Sequence, residues 1–117
     1  MTVYVVAQLR FVDRSAYDRY QARFMSVFAA FDGRLLAADE HPERLEGGWD
    51  RDKVVILSFP DTESARAFVT APAYREIAKD RRAGAECVVL LVQGLAPPKA
   101  GRASIRDPGA PTRRRSP

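Results

Sequence analysis

The segment Lys53-Val54-Val55-Ile56-Leu57-Ser58-Phe59-Pro60-Asp61 decides the fold of this chain. Four consecutive apolar residues, three of them β-branched, predict a strand over Lys53–Phe59, and Pro60, which has no backbone donor, ends it. An antiparallel strand with one face in water alternates apolar and polar side chains. This one does not, so both of its faces need cover.

Working downstream, Asp61 is placed to cap a helix whose apolar positions are Ala65, Phe68 and Val69. Pro72 breaks that helix, and a second short one carries Tyr74, Ile77 and Ala78 to a stop at Gly84. Residues 85–94 form a last strand, and Val88-Val89-Leu90-Leu91-Val92 is again apolar on both faces. Upstream, Arg34–Asp39 is a short strand, separated from the deciding segment by a long connection that His41-Pro42 and Gly47-Gly48 punctuate. Leu45 and Glu46 are expected to extend strand pairing into that connection. Before it, Tyr17, Tyr20, Phe24, Val27, Phe28 and Phe31 recur at steps of three and four, one stripe of a helix. Gly33 is expected to stop this helix in the left-handed conformation. Residues 3–10, rich in β-branched side chains, form a first strand that ends before the capping residue Asp13.

The order is β-α-β-β-α-β, the α+β pattern of ferredoxin-like folds: a four-stranded antiparallel sheet with the first and third strands central. Right-handed crossovers put the helices on one face and leave the other bare. Residues 1–95 make one such domain, and the chain is too short to supply another layer. A second copy is the expected cover, giving a homodimer with its sheets face to face.

At 117 residues, 46% hydrophobic and 29% charged, the chain has the balance of a globular protein. Its net charge of +4 is unevenly placed. Residues 1–95 hold 13 basic and 14 acidic side chains, while the remainder sets six basic residues against Asp107. The basicity therefore gives no argument for a nucleic-acid surface on the domain. Residues 96–117, broken by Pro97, Pro98, Pro108, Pro111 and Pro117, read as a disordered basic tail. Arg113-Arg114-Arg115 in it is a contact point for an acidic partner in the alternative reading of the chain as a non-catalytic binding or regulatory module. Cys87 is the only cysteine, which excludes an internal disulfide. With no basic leader before Val3 and no apolar run near the ~20 residues of a membrane span, a cytoplasmic protein is expected, with no membrane partner.

These segments resemble a family of small bacterial proteins known as domain of unknown function 1330, within the dimeric α/β-barrel superfamily. The likeness rests on Tyr17-Asp18-Arg19-Tyr20, Phe31-Asp32-Gly33-Arg34-Leu35-Leu36, Leu45-Glu46-Gly47-Gly48-Trp49, the deciding segment from Val54 to Pro60, Ser64-Ala65-Arg66-Ala67-Phe68, and Pro72-Ala73-Tyr74. It implies the same fold and dimer for residues 1–95. The superfamily includes cofactor-independent monooxygenases, small isomerases, haem-handling enzymes and stress-response proteins, and fold alone does not choose among them.

The candidate ligand-binding residues are Trp49, Arg34, Tyr20, Glu46 and His41. Trp49 follows two glycines that let the backbone bend around a neighbour, as a lid or a pocket wall. Arg34 can present a guanidinium to a carboxylate, and Glu46 is a general base if burial raises its pKa, or else an ion-pair partner of Arg34 or Arg44. Tyr20, with Tyr4 and Tyr74, can direct a phenol between sheet and helices. His41, the only histidine, lies beside Asp39 and Glu40 without the spacing that converges metal ligands, so no metal is expected. No nucleotide loop or nucleophile motif is present, and any catalysis is expected to be cofactor-free, on a small-molecule ligand held between sheet and helices.

Overall fold

A computed structural model describes residues 1–96. The tail assigned to residues 96–117 lies, apart from Ala96, outside the described residues. The elements are β1 (Val3–Phe11), α1 (Arg14–Phe28), β2 (Arg34–Asp39), β3 (Lys53–Phe59), α2 (Thr62–Thr70), α3 (Pro72–Gly84) and β4 (Ala85–Gln93). The sheet is antiparallel throughout, in the order β2-β3-β1-β4, with β1 and β3 central as expected.

Local chemistry accounts for the boundaries. The Asp13 carboxylate accepts from the Ser15 and Ala16 amides at 3.1 and 3.4 Å, and Asp61 accepts from the Ser64 amide at 2.7 Å, so each satisfies donors that a helix start leaves free. Ala71 is extended, as a residue before proline prefers, and Pro72 begins α3 where its missing N–H costs nothing. The helical segment after β3 is therefore two helices.

Three expectations are corrected. Among the described residues Gly47 is the one glycine with positive φ, so Gly33 does not stop α1 in the left-handed conformation. The helix instead tightens through Ala30 N–H to Val27 and Phe31 N–H to Phe28, leaving Phe31 outside it. Gly33 is needed for space: a Cβ there would lie 2.6 Å from the Phe28 ring and 2.7 Å from that of Phe59. Leu45 and Glu46 form no strand, since they lie in the exposed connection with no partner segment beside them. Finally, β1 runs one residue further, to Phe11, and β4 ends one residue sooner, at Gln93, with Gly94 N–H still donating to Thr2.

The register sorts the side chains by face, because directly opposed residues share one. Val3, Val5, Leu9, Leu57 and Phe59 point to the helices and are buried. Tyr4, Val6 and Gln8 on β1 share the outer face with Val54, Ile56 and Ser58 on β3 and with Val88, Leu90 and Val92 on β4. No described element covers that face. Leu90 is 46% exposed there, which leaves an unpartnered apolar surface across three strands.

Gly84 marks a close backbone approach. Its carbonyl accepts from the Val12 and Asp13 amides at 2.9 and 3.1 Å, and a Cβ would lie 2.4 Å from the Tyr17 nitrogen and 2.8 Å from the Asp13 oxygen. Backbone atoms cannot swing aside. Gly84→Ala is expected to lower stability by about 1–3 kcal/mol in chemical denaturation, whereas Gly48→Ala, with open space at its Cβ, should change it by less than about 0.5 kcal/mol.

Candidate functional site

A cavity of about 310 Å³ lies between the helices and the inner face of the sheet. Its origin is legible in the strands. On β1 the inward row runs Val3, Val5, Ala7, Leu9, and on β2 it includes Ala38, so two methyl groups stand where larger side chains would fill the layer. The walls are mostly apolar and aromatic, from Tyr17, Tyr20 and Phe24 on α1, Phe68 on α2 and Tyr74 on α3. Its size falls at the lower end of the roughly 300–1,000 Å³ typical of ligand pockets.

Few polar groups enter it. The Tyr20 and Tyr74 hydroxyls meet at 3.1 Å, the kind of partnering a buried phenol needs. Lys53, almost fully buried at the start of β3, donates to Gln21 Oε1 at 3.0 Å, stands 3.7 Å from Glu40 Oε2 and lies 4.9 Å above the Tyr17 ring. Glu40 in turn receives the Arg14 fork at 3.0 and 2.8 Å. Arg81 also lines the cavity, and its buried Nε has no hydrogen-bond partner among the described residues.

The titration behaviour follows from these surroundings. Burial pushes the Tyr17 and Tyr20 phenols well above their ordinary value, and Tyr74 adds to the effect at Tyr20. Burial also lowers the Lys53 ammonium, with Glu40 opposing it. Arg14 holds the Glu40 carboxyl below the usual carboxylate range. For Arg81, burial works against the charge, but Tyr74, Cys87 and Tyr20 beside it prevail and the guanidinium stays firmly protonated. The cavity thus brings together two basic side chains, Lys53 and Arg81, and the phenols of Tyr17, Tyr20 and Tyr74, and no carboxylate lines it.

The family model for the domain of unknown function DUF1330 matches residues 2–95. The chain belongs to the DUF1330 family.

No curated protein matches this DUF1330 chain in sequence. Solved structures do share its fold. One is a protein of unknown function from Rhodopseudomonas palustris, 20% identical, with a TM-score of 0.69 over 82% of this chain and 84% of that one. Another is SnoaB, a cofactor-independent oxygenase from Streptomyces nogalater, 20% identical, with a TM-score of 0.61 over 82% of this chain and 95% of that one. A third is a dimeric ferredoxin-like protein of unknown function from Jannaschia sp. CCS1, 12% identical, with a TM-score of 0.62 over 80% and 100%. At these identities the likeness is one of fold, which is ferredoxin-like.

Of the residues singled out in the DUF1330 sequence, the structure brings Tyr20 and Tyr74 to the cavity. Trp49 is elsewhere: its Nε1 donates to Gln8 Oε1 at 3.0 Å, on the outer face. Arg34 is exposed at the edge, opposite Ser58 on that same outer face. Tyr4 also points outward, between the buried Val3 and Val5. His41 is exposed in the connection, its amide donating to Asp39 Oδ1 at 2.8 Å, and shares a shallow groove with Trp49, Arg44 and Arg51. Glu46 is exposed and forms no ion pair with Arg34 or Arg44.

Sequence reasoning passed over Lys53 and Arg81, though each carried a signal. Lys53 falls two residues before Val55 and four before Leu57, an inward position of a central strand. Arg81 stands seven residues after Tyr74 and four after Ile77, on the stripe of α3 that faces the core.

For the raised phenols the linkage has a definite sign. The unfolded chain loses these protons near pH 10 and the folded chain only above that, so their contribution is fully present below pH 10 and is lost as pH rises beyond it. In an ultraviolet titration of the native protein, Tyr17 and Tyr20 should stay un-ionised above pH 10 until the fold opens. Ionisation of all four tyrosines as one group near 10 would contradict the buried pair.

Proposed function

We propose that this chain is a homodimeric small-molecule-binding protein, with two copies joined through their outer sheet faces and one ligand site in each cavity between sheet and helices. The observation that carries the reading is that cavity: apolar and aromatic walls, with a few convergent polar groups in Tyr20, Tyr74, Lys53 and Arg81. Any chemistry on the ligand rests on positioning and on phenols that remain proton donors at neutral pH. A likeness of 20% to an oxygenase carries the fold and not the reaction.

The dimer is supported by the uncovered outer face. Val6, Val54, Ile56, Val88, Leu90 and Val92 make it too apolar to be left in water, and two twisted sheets of this kind pack face to face at about 10 Å. Two structures of the same fold, 12% and 17% identical, are of dimeric ferredoxin-like proteins, which supports two copies here. Trp49, the one tryptophan, borders the same face through Gln8 and would report on its burial.

Neighbouring residues of β4 separate the two proposed roles. Leu90 points outward and Val89 lines the cavity. In light scattering at low micromolar concentration the unaltered chain should be a dimer, Leu90→Asp should be a monomer with red-shifted Trp49 emission, and Val89→Asp should remain dimeric. A monomeric unaltered chain sinks the dimer, and dissociation by Val89→Asp alone would reverse the assignment of faces. Native mass spectrometry of the purified protein tests the ligand site, by a mass retained on the dimer that Tyr20→Ala, which enlarges the cavity and removes the hydroxyl pair, releases.

A further inference from the structure

The two cations of the cavity are not equivalent. Lys53 already has its counter-charge, since Glu40 lies 3.7 Å away and Gln21 takes a hydrogen bond. Arg81 makes no ion pair among the described residues, and its Nε is sealed from solvent without an acceptor. Leaving a buried donor unmet is costly, more so for a charged group, and native folds seldom do it without a reason. Neither the cavity nor the groove that Arg81 lines contains an aspartate or a glutamate.

Arg81 also occupies a boundary. With Val69, Tyr74 and Val89 it lines both the cavity and an adjoining groove of about 440 Å³. The remainder of that groove is Ala78 and three basic residues, Arg75, Lys79 and Arg82, which stand at i, i+4 and i+7 on one face of α3. Glu76 pairs with Lys79 at 2.9 Å, while Arg75 and Arg82 form no ion pair among the described residues. An anion approaching the cavity by this side meets a positive field outside and a guanidinium without a counter-charge at the threshold.

We infer that the cavity takes an organic monocarboxylate with an apolar, aromatic body, the carboxylate received by Arg81 at the boundary with the groove and the body lodged against Phe24, Phe68 and Tyr74. A guanidinium fork matches the two oxygens of a carboxylate. The apolar walls reward a body without further charge. This inference rests on the reading of the cavity as a ligand site.

The test is calorimetry on the full chain with benzoate, 4-phenylbutyrate and 2-naphthoate, each against its primary amide, and with phenyl phosphate. At least one acid should bind roughly 10- to 100-fold tighter than its amide, the range for a charge-assisted hydrogen bond. Raising the salt should weaken the acid and leave the amide unchanged. Arg81→Gln should bring acid and amide to equal affinity, and Arg81→Lys, which keeps the charge but not the fork, should retain part of the difference. The acid-amide comparison in the unaltered protein stands even where Arg81→Gln fails to fold. Equal binding of acid and amide, or a folded Arg81→Gln that keeps the preference, overturns the carboxylate while the cavity remains a ligand site. Tighter binding of phenyl phosphate than of every acid, dependent on Arg81, overturns it in favour of a phosphate ester. Failure of every acid and amide to bind removes the ligand-site reading and this inference together.

Discussion

The Phe68 ring is the contact on which the rest of this structure depends. Almost fully buried, it meets Tyr74 at 4.5 Å between centroids, Phe28 at 5.2 Å, Phe31 at 5.3 Å, Phe59 at 5.8 Å and Phe24 at 6.0 Å. One side chain of α2 thereby ties α1, α3, β3 and the turn after α1. Aromatic pairs of this kind contribute about 0.5–1.5 kcal/mol each beyond the area they bury. Gly33 belongs to the same arrangement, because only a residue without Cβ lets Phe28 and Phe59 close to their present distance. The end of the layer held by these rings is full, and the end floored by Ala7 and Ala38 is not. The cavity is therefore bounded by packed aromatic rings, and its aromatic wall is in place before any ligand arrives.

The sheet divides the molecule into two chemistries separated by one pleat. Ala7 faces the cavity, while Gln8, its neighbour, holds Trp49 on the other side. The same alternation sends Val89 inward and Val88 and Leu90 outward. A strand apolar on both faces is thus two half-sites in one run of sequence, one for a partner sheet and one for a ligand. The Arg10–Glu86 pair, where the end of β1 meets the start of β4, is half-exposed, adds little to stability and lies beside the apolar patch rather than within it.

Charge is distributed with similar economy. Arg14, Glu40 and Lys53 form a connected set in which one carboxylate serves two cations, and burial of Lys53 is tolerable for that reason. Arg81, which lines the same cavity, has no counter-charge among the described residues. The contrast between a satisfied and an unsatisfied cation within one small cavity gives it a polarity that its apolar lining alone would not.

The amino-acid sequence by itself determined the order of elements, the caps at Asp13 and Asp61, the break at Pro72, the central place of the first and third strands and the excess of apolar surface on the sheet. These depend on short-range sterics, hydrogen bonding and periodicity, which are written within a few residues of each position. It also carried the family likeness over residues 2–95. Only the tertiary structure decided which side chains meet. Trp49 and Arg34 looked like companions of Tyr20 because they flank glycines and strand ends, yet which face each serves is settled by contacts with distant residues, Gln8 for Trp49 and Ser58 for Arg34. Lys53 and Arg81 are ordinary charges in the sequence, and what distinguishes them is whether a carboxylate lies within reach after folding. That is a property of distance in space, on which local sequence has no hold.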